Sequence, residues 1–134
     1  PLALLLKIVT PDIEWVSLQK DATAEETAML RVAGVRACGD ELTDFADTAA
    51  LIETLDAVIS IDTAVAHLAG ALGKPLLVLL RYNADWRWLL GRSGSPWYPT
   101  ARLFRQAVAG DWEGVVDAVG RDLVSTLSKL LEVR

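Results

Sequence analysis

Apolar and polar positions fall into blocks along this chain, and the clearest series of blocks spans residues 55–75. Residues 57–61 (Ala-Val-Ile-Ser-Ile) form a short, largely apolar run with β-branched members, bounded by Asp56 and Asp62. Such a run predicts a strand buried on both faces. Val65, Leu68, Ala69 and Leu72 then recur at i, i+3, i+4 and i+7, the helical period. Thr63 is placed to cap that helix through its hydroxyl, and Gly73 and Pro75 supply a stop. Residues 76–80 are apolar again, so the stretch predicts strand, helix, strand: a βαβ unit.

The other blocks extend the same alternation. Leu2, Leu5, Leu6 and Val9 place a helix over residues 1–10, ended near Pro11. Residues 14–18 predict a strand, with Gln19 and Lys20 just past its carboxyl end, and residues 21–33 a weak helix opened by Glu25 and Glu26. Residues 35–38 predict a short strand, and residues 39–47 an acidic loop carrying Asp40, Glu41, Asp44 and Asp47. Asp47 or Thr48 is expected to cap a helix through Leu55, with Leu51, Ile52 and Leu55 as its core stripe. Residues 102–106 predict a last, edge strand. Asp111 then caps a long amphipathic helix with Trp112, Val115, Val116, Val119, Leu123, Leu127, Leu130 and Leu131 on one face. Residues 81–99 carry three of the five Trp and both Tyr in a loop too long for a plain connector.

Strands alternating with helices predict an α/β domain: a Rossmann-like, mostly parallel sheet with helices on both faces. In such sheets ligands bind outside the carboxyl ends of the strands. That rule gathers Gln19-Lys20, Asp62-Thr63, Arg81-Tyr82 and Gln106 onto one edge. A glycine-rich GxGxxG fingerprint is absent, which disfavours a dehydrogenase-type dinucleotide site.

Composition narrows the function classes. At 134 residues the chain is expected to form one domain with a real core. A hydrophobic fraction of 52% and a mean hydropathy of +0.32 are high for a free-standing soluble domain, so some of that surface is expected to be covered by something else. No apolar run reaches the ~20 residues a membrane helix needs. A net charge of −5 argues against nucleic acid, whose backbone is gripped by clustered Lys and Arg. One cysteine (Cys38) and one histidine (His67) leave no disulfide framework and disfavour a metal site, so no metal or cofactor is expected. The lone cysteine points to a reducing, cytoplasmic setting. Opening on Pro1 within an apolar pattern, the chain reads as a piece of a longer protein.

The chemistry sits at the start of the central helix. The backbone N–H groups of Ala64, Val65 and Ala66 lie in its first turn, without partners inside the helix and at the positive end of its dipole. A diphosphate suits such a place. Asp62 is positioned to accept hydrogen bonds from sugar hydroxyls, and His67 lies off the core stripe, one turn from the cap. The plainer reading is that Asp62 and Thr63 only cap a helix and His67 is a solvated surface residue.

Residues 58–75 (Val-Ile-Ser-Ile-Asp-Thr-Ala-Val-Ala-His-Leu-Ala-Gly-Ala-Leu-Gly-Lys-Pro) resemble the C-terminal half of GT-B glycosyltransferases. The similarity is to the heptosyltransferase-like family nine, and more closely to glycosyltransferase domains that follow tetratricopeptide repeats in bacteria. Residues 16–20, 44–49, 85–88 (Asp-Trp-Arg-Trp), 95–99 (Ser-Pro-Trp-Tyr-Pro) and 102–106 (Arg-Leu-Phe-Arg-Gln) resemble further blocks of the second group, in order, over about residues 14–115.

The resemblance implies a donor-binding, Rossmann-like half of a two-domain, metal-independent enzyme. The backbone at Thr63, Ala64 and Val65 would hold the phosphates of a nucleotide-sugar, Asp62 would reach the transferred sugar and His67 would support that site. Gln19 and Lys20 would lie near the nucleotide. The catalytic base would belong to an N-terminal domain outside this chain, so no catalytic residue is expected here. Arg81 stands where the family has a proline, and Ser93-Gly94 where it is more acidic; Arg81 is placed either to strengthen phosphate binding or to be solvated. Trp86, Trp88 and Trp97 are expected either to contact an acceptor or to face a missing domain.

A domain that kept the fold only for interaction, with a repeat partner, is the competing reading. In the family's fold a central strand precedes the first helix seen here. The strands at 14–18 and 57–61 are therefore expected to flank a gap, and the fragment to self-associate.

Overall fold

The computed structural model describes residues 2–133. It is mixed α/β, with every strand pair parallel, and the chain divides into two compact units, residues 1–48 and 49–134. The parallel strands form two small sheets, one of two strands and one of three, where one sheet was expected.

In the first unit, helix α1 (Leu2–Leu5) runs into a 3-10 turn (Leu6–Ile8), and none of its predicted stripe is fully buried. Strand β1 (Val16–Ser17) pairs in parallel with β2 (Arg36–Ala37) across helix α2 (Ala24–Val32). Helix α2 opens on a capping box: the Glu26 N–H donates to Thr23 Oγ1, and the Thr23 N–H donates to Glu26 Oε2.

Helix α3 (Phe45–Thr54) starts earlier than the sequence predicts. The Asp47 N–H donates to Asp44 Oδ1 at 2.8 Å, so Asp44 rather than Asp47 or Thr48 is the cap. Asp47 lies in the first turn and reaches back to the Thr43 N–H and hydroxyl; those two bonds hold its carboxyl below the usual carboxylate range. Two acids three residues apart both read as caps, and only the backbone geometry chooses between them.

The second unit holds the βαβ core: β3 (Val58–Ile61), α4 (Ala64–Ala71) and β4 (Leu76–Leu80), followed by β5 (Ala101–Arg105) and α5 (Trp112–Val133). The strand order is β3-β4-β5, so β4, Leu-Leu-Val-Leu-Leu, is central and buried at all five positions. The strand expected to be buried on both faces, β3, is an edge of this sheet, and its burial fades from Val58 to exposed Ile61. Helix α4 ends in a Schellman motif, with the Lys74 N–H donating to Ala69 O, the Gly73 N–H donating to Gly70 O, and Gly73 at φ +71°.

The β4-to-β5 crossover is not a helix but the aromatic loop, with one 3-10 turn at Trp86–Trp88. Its far end runs back along β5: Gly94 bridges Arg102 in antiparallel fashion, and the Leu103 N–H donates to Ser93 O. Ser93-Gly94 therefore covers part of the outer edge of β5.

Asp111 caps α5 as predicted, accepting from the Gly114 N–H at 3.0 Å. Val115, Val116, Val119 and Leu123 are buried where α5 packs on β4 and β5, and the Arg102–Asp122 ion pair (2.8 Å) ties the helix to β5. Beyond Leu123 the stripe runs out: Val124, Leu131 and Val133 are exposed. Among the described residues no helix is long and apolar enough to cross a membrane.

Candidate functional site

Strand β3 delivers Asp62 and Thr63 to the first turn of α4, and β4 delivers Arg81 beside them. Asp62 and Arg81 line one cavity of about 550 Å³, together with Ile61, Asn83, Asp85 and Trp112. This is the carboxyl end of two neighbouring parallel strands, where the fold class places ligands.

Thr63 occupies the N-cap position with extended backbone (φ −139°), but its hydroxyl does not cap. It turns back to Ser60 Oγ (3.1 Å), whose own hydroxyl donates to Ile61 O. The expectation of a hydroxyl cap is thus corrected: a neighbouring serine competes for the threonine. Ala66 is corrected as well, because its N–H donates to Thr63 O at 3.0 Å. The N–H groups of Ala64 and Val65 have no partner among the described residues. With no side-chain oxygen at the cap, those two donors are left for solvent or an anion.

His67 follows one turn into α4 and is not a solvated residue. Its ring stacks on Trp88 (centroids 5.1 Å apart, 22° between planes) and meets Tyr98 edge-on. Its Nδ1 lies 2.9 Å from the Tyr98 hydroxyl, and its Nε2 lies 3.4 Å from Asp62 Oδ1. Both ring nitrogens are engaged by side chains, Nδ1 by Tyr98 and Nε2 by Asp62. His67, Trp86, Arg87, Trp88, Trp97 and Tyr98 line a second cavity of about 290 Å³.

Asp85 also lines the larger cavity, a placement that the sequence pattern does not predict. It opens the 3-10 turn and accepts from the Arg87 N–H (3.0 Å) and from the Arg87 guanidinium (2.9 Å). These bonds, the backbone one foremost, hold its carboxyl below the usual range. The guanidinium in turn sits over the Trp86 ring at 5.1 Å. The Asp-Trp-Arg-Trp block therefore closes on itself, leaving Trp86 exposed and Trp88 wholly buried.

Gln106 lies at the end of β5 but is 4% exposed; its Oε1 accepts from the N–H groups of Tyr82 and Gly110. That oxygen pins two turns, while the Gln106 Nε2 is buried without a hydrogen-bond partner among the described residues. Gln19 and Lys20 belong to the first unit, just past β1, where the Lys20 ammonium lies 3.5 Å from Thr43 O. The structure thus brings together Asp62, Thr63, Ala64, Val65, His67 and Arg81, while Gln19 and Lys20 belong to the other unit. Among the described residues no cluster of three or more His, Cys, Asp or Glu is placed to hold a metal.

Residues 15–107 match the model of glycosyltransferase family 9 (heptosyltransferase). The chain belongs to glycosyltransferase family 9. Protein FlbA of Caulobacter vibrioides is 34% identical to it over 119 residues, 85% of this chain but 20% of FlbA. This family 9 chain therefore spans about a fifth of the length of that relative. The matched stretch takes in β1 through β5, and with them the lining of both described cavities except Trp112.

Proposed function

We propose that this family 9 chain is the donor-binding, C-terminal half of a GT-B glycosyltransferase, taking a nucleotide-sugar at the start of α4. The observation that carries the reading is the pair of unpartnered N–H groups, Ala64 and Val65, beside Asp62 and Arg81. A diphosphate there would meet two backbone donors, the helix dipole and one guanidinium. The same groups would stabilise the charge that grows on a leaving nucleoside diphosphate, so no metal is required for that step. Asp62, an acceptor at the end of β3, would take hydrogen bonds from hydroxyls of the transferred sugar.

On this reading the general base comes from a second, N-terminal domain, and tetratricopeptide repeats would be a further partner. His67 is a poor base for the purpose, because its two nitrogens already face Asp62 and Tyr98. The test is titration with a panel of nucleoside diphosphates, mapped by backbone amide shifts. Perturbations centred on residues 62–65 support the reading, and no binding at millimolar concentration refutes it.

A domain kept only for interaction is favoured by one specific feature, the exposed rings of Trp86 and Trp97. It predicts no nucleotide binding in the same titration.

A further inference from the structure

The aromatic loop has a feature that neither acceptor contact nor domain contact explains: Tyr98 is built into α4. A Cβ at Gly70 would lie 2.5 Å from Tyr98 Cγ, so the ring rests where only glycine leaves room. The buried Ser95 Oγ lies within hydrogen-bond range of the Trp97 and Tyr98 N–H groups (3.2 and 3.3 Å), and Tyr98 O accepts from the Ala101 N–H at the start of β5. The turn at 95–98 is thus fixed at both ends, and the tyrosine hydroxyl it carries ends on His67.

We propose that Tyr98 is a positioning residue that holds the His67 ring in one orientation and one tautomer, with Nε2–H directed at Asp62. An ionised carboxylate can only accept, so the nitrogen facing Asp62 is best as N–H. Nδ1 then carries a lone pair and takes the Tyr98 O–H. A hydroxyl also accepts, so the contact survives if His67 gains a proton and Nδ1–H becomes the donor. Without the hydroxyl no other hydrogen bond holds Nδ1 among the described residues, and the imidazole is left against the Trp88 and Tyr98 rings. The ring could then flip about χ2 and set carbon against Asp62.

The chain Asp62–His67–Tyr98 also joins the two cavities, since Asp62 lines the larger and His67 and Tyr98 the smaller. With Oδ1 turned to His67, Asp62 keeps Oδ2 for a ligand. The consequence for a sugar hydroxyl rests on the donor-binding reading, whereas the state of His67 does not.

The test is the ¹⁵N imidazole spectrum of His67 in this chain without ligand, above the usual histidine range. We expect protonated Nε2 and a hydrogen-bonded, unprotonated Nδ1. Tyr98→Phe keeps the ring on Gly70 and should move Nδ1 downfield, toward a free lone pair. Gly70→Ala should do the same with the hydroxyl present but displaced. An Nδ1 resonance unchanged in Tyr98→Phe overturns the proposal. With a nucleotide-sugar as the second probe, Tyr98→Phe should weaken binding about fivefold, the worth of one ordinary hydrogen bond, and leave nucleoside diphosphate binding unchanged. Equal losses with both probes would overturn the link to the sugar. Absence of all nucleotide binding would count against the donor reading alone, because the imidazole spectra are read without nucleotide.

Discussion

At the scale of single residues, the site depends on what Thr63 does not do. Its hydroxyl turns to Ser60, so substitutions there act through the backbone. Proline fixes φ near −65°, whereas Thr63 sits at −139°. Thr63→Pro should therefore weaken nucleoside diphosphate binding at least tenfold, whereas Thr63→Val, which removes only the hydroxyl, should change it little; titration calorimetry separates the two. Asp85 sets a pH limit. Its folded carboxyl titrates lower than the unfolded one, because the Arg87 N–H and guanidinium favour the ionised form, with His67 adding in its charged state. Its contribution to the 3-10 turn is therefore full above the usual carboxylate range and lost as pH falls through the lowered folded value. Trp86 emission, sensitive to the guanidinium above it, should hold steady around neutrality and change only in acid. Asp85→Asn should remove that acid step.

At the scale of elements, the β3–α4–β4 unit was legible because each part carries its own signal. A short apolar run, a 3.6-residue period and a glycine stop all agree. The stop is worth measuring. Gly73 stands at φ +71°, and a side chain there strains the backbone, so Gly73→Ala should cost about 1–2 kcal/mol in urea unfolding. The start of α3 was misplaced by three residues because Asp44 and Asp47 are both good caps, and their spacing satisfies both roles. The single sheet expected from alternation became two, since pattern predicts strands but not which strands pair. The loop at 81–99 was visible as unusual, yet its content was not. That Tyr98 meets His67, 31 positions earlier, depends on the turn at Ser95 and on the bare surface of Gly70, and neither has a periodic signature. Gly70 was legible only as a small residue on a helix.

At the scale of the whole molecule, the family is shown and the division of labour within it is the proposal. The pure chain should transfer no sugar from any donor, because the reading assigns the base and half of the cleft to another domain. Measured turnover would contradict it. Exposed Val124, Leu131 and Val133 on α5, with Val32 and Phe45 elsewhere, leave apolar surface that a longer protein could cover. The isolated chain should accordingly self-associate, and sedimentation at tens of micromolar should show a dimer or larger species; a clean monomer would contradict this. The central claim is that the start of α4 binds the diphosphate of a nucleotide-sugar. Its most direct measurement is an amide chemical-shift titration of the chain with nucleoside diphosphates. The expected result is saturable shifts of the Ala64 and Val65 amides, lost in Thr63→Pro. Shifts centred elsewhere, or none at millimolar ligand, would contradict it.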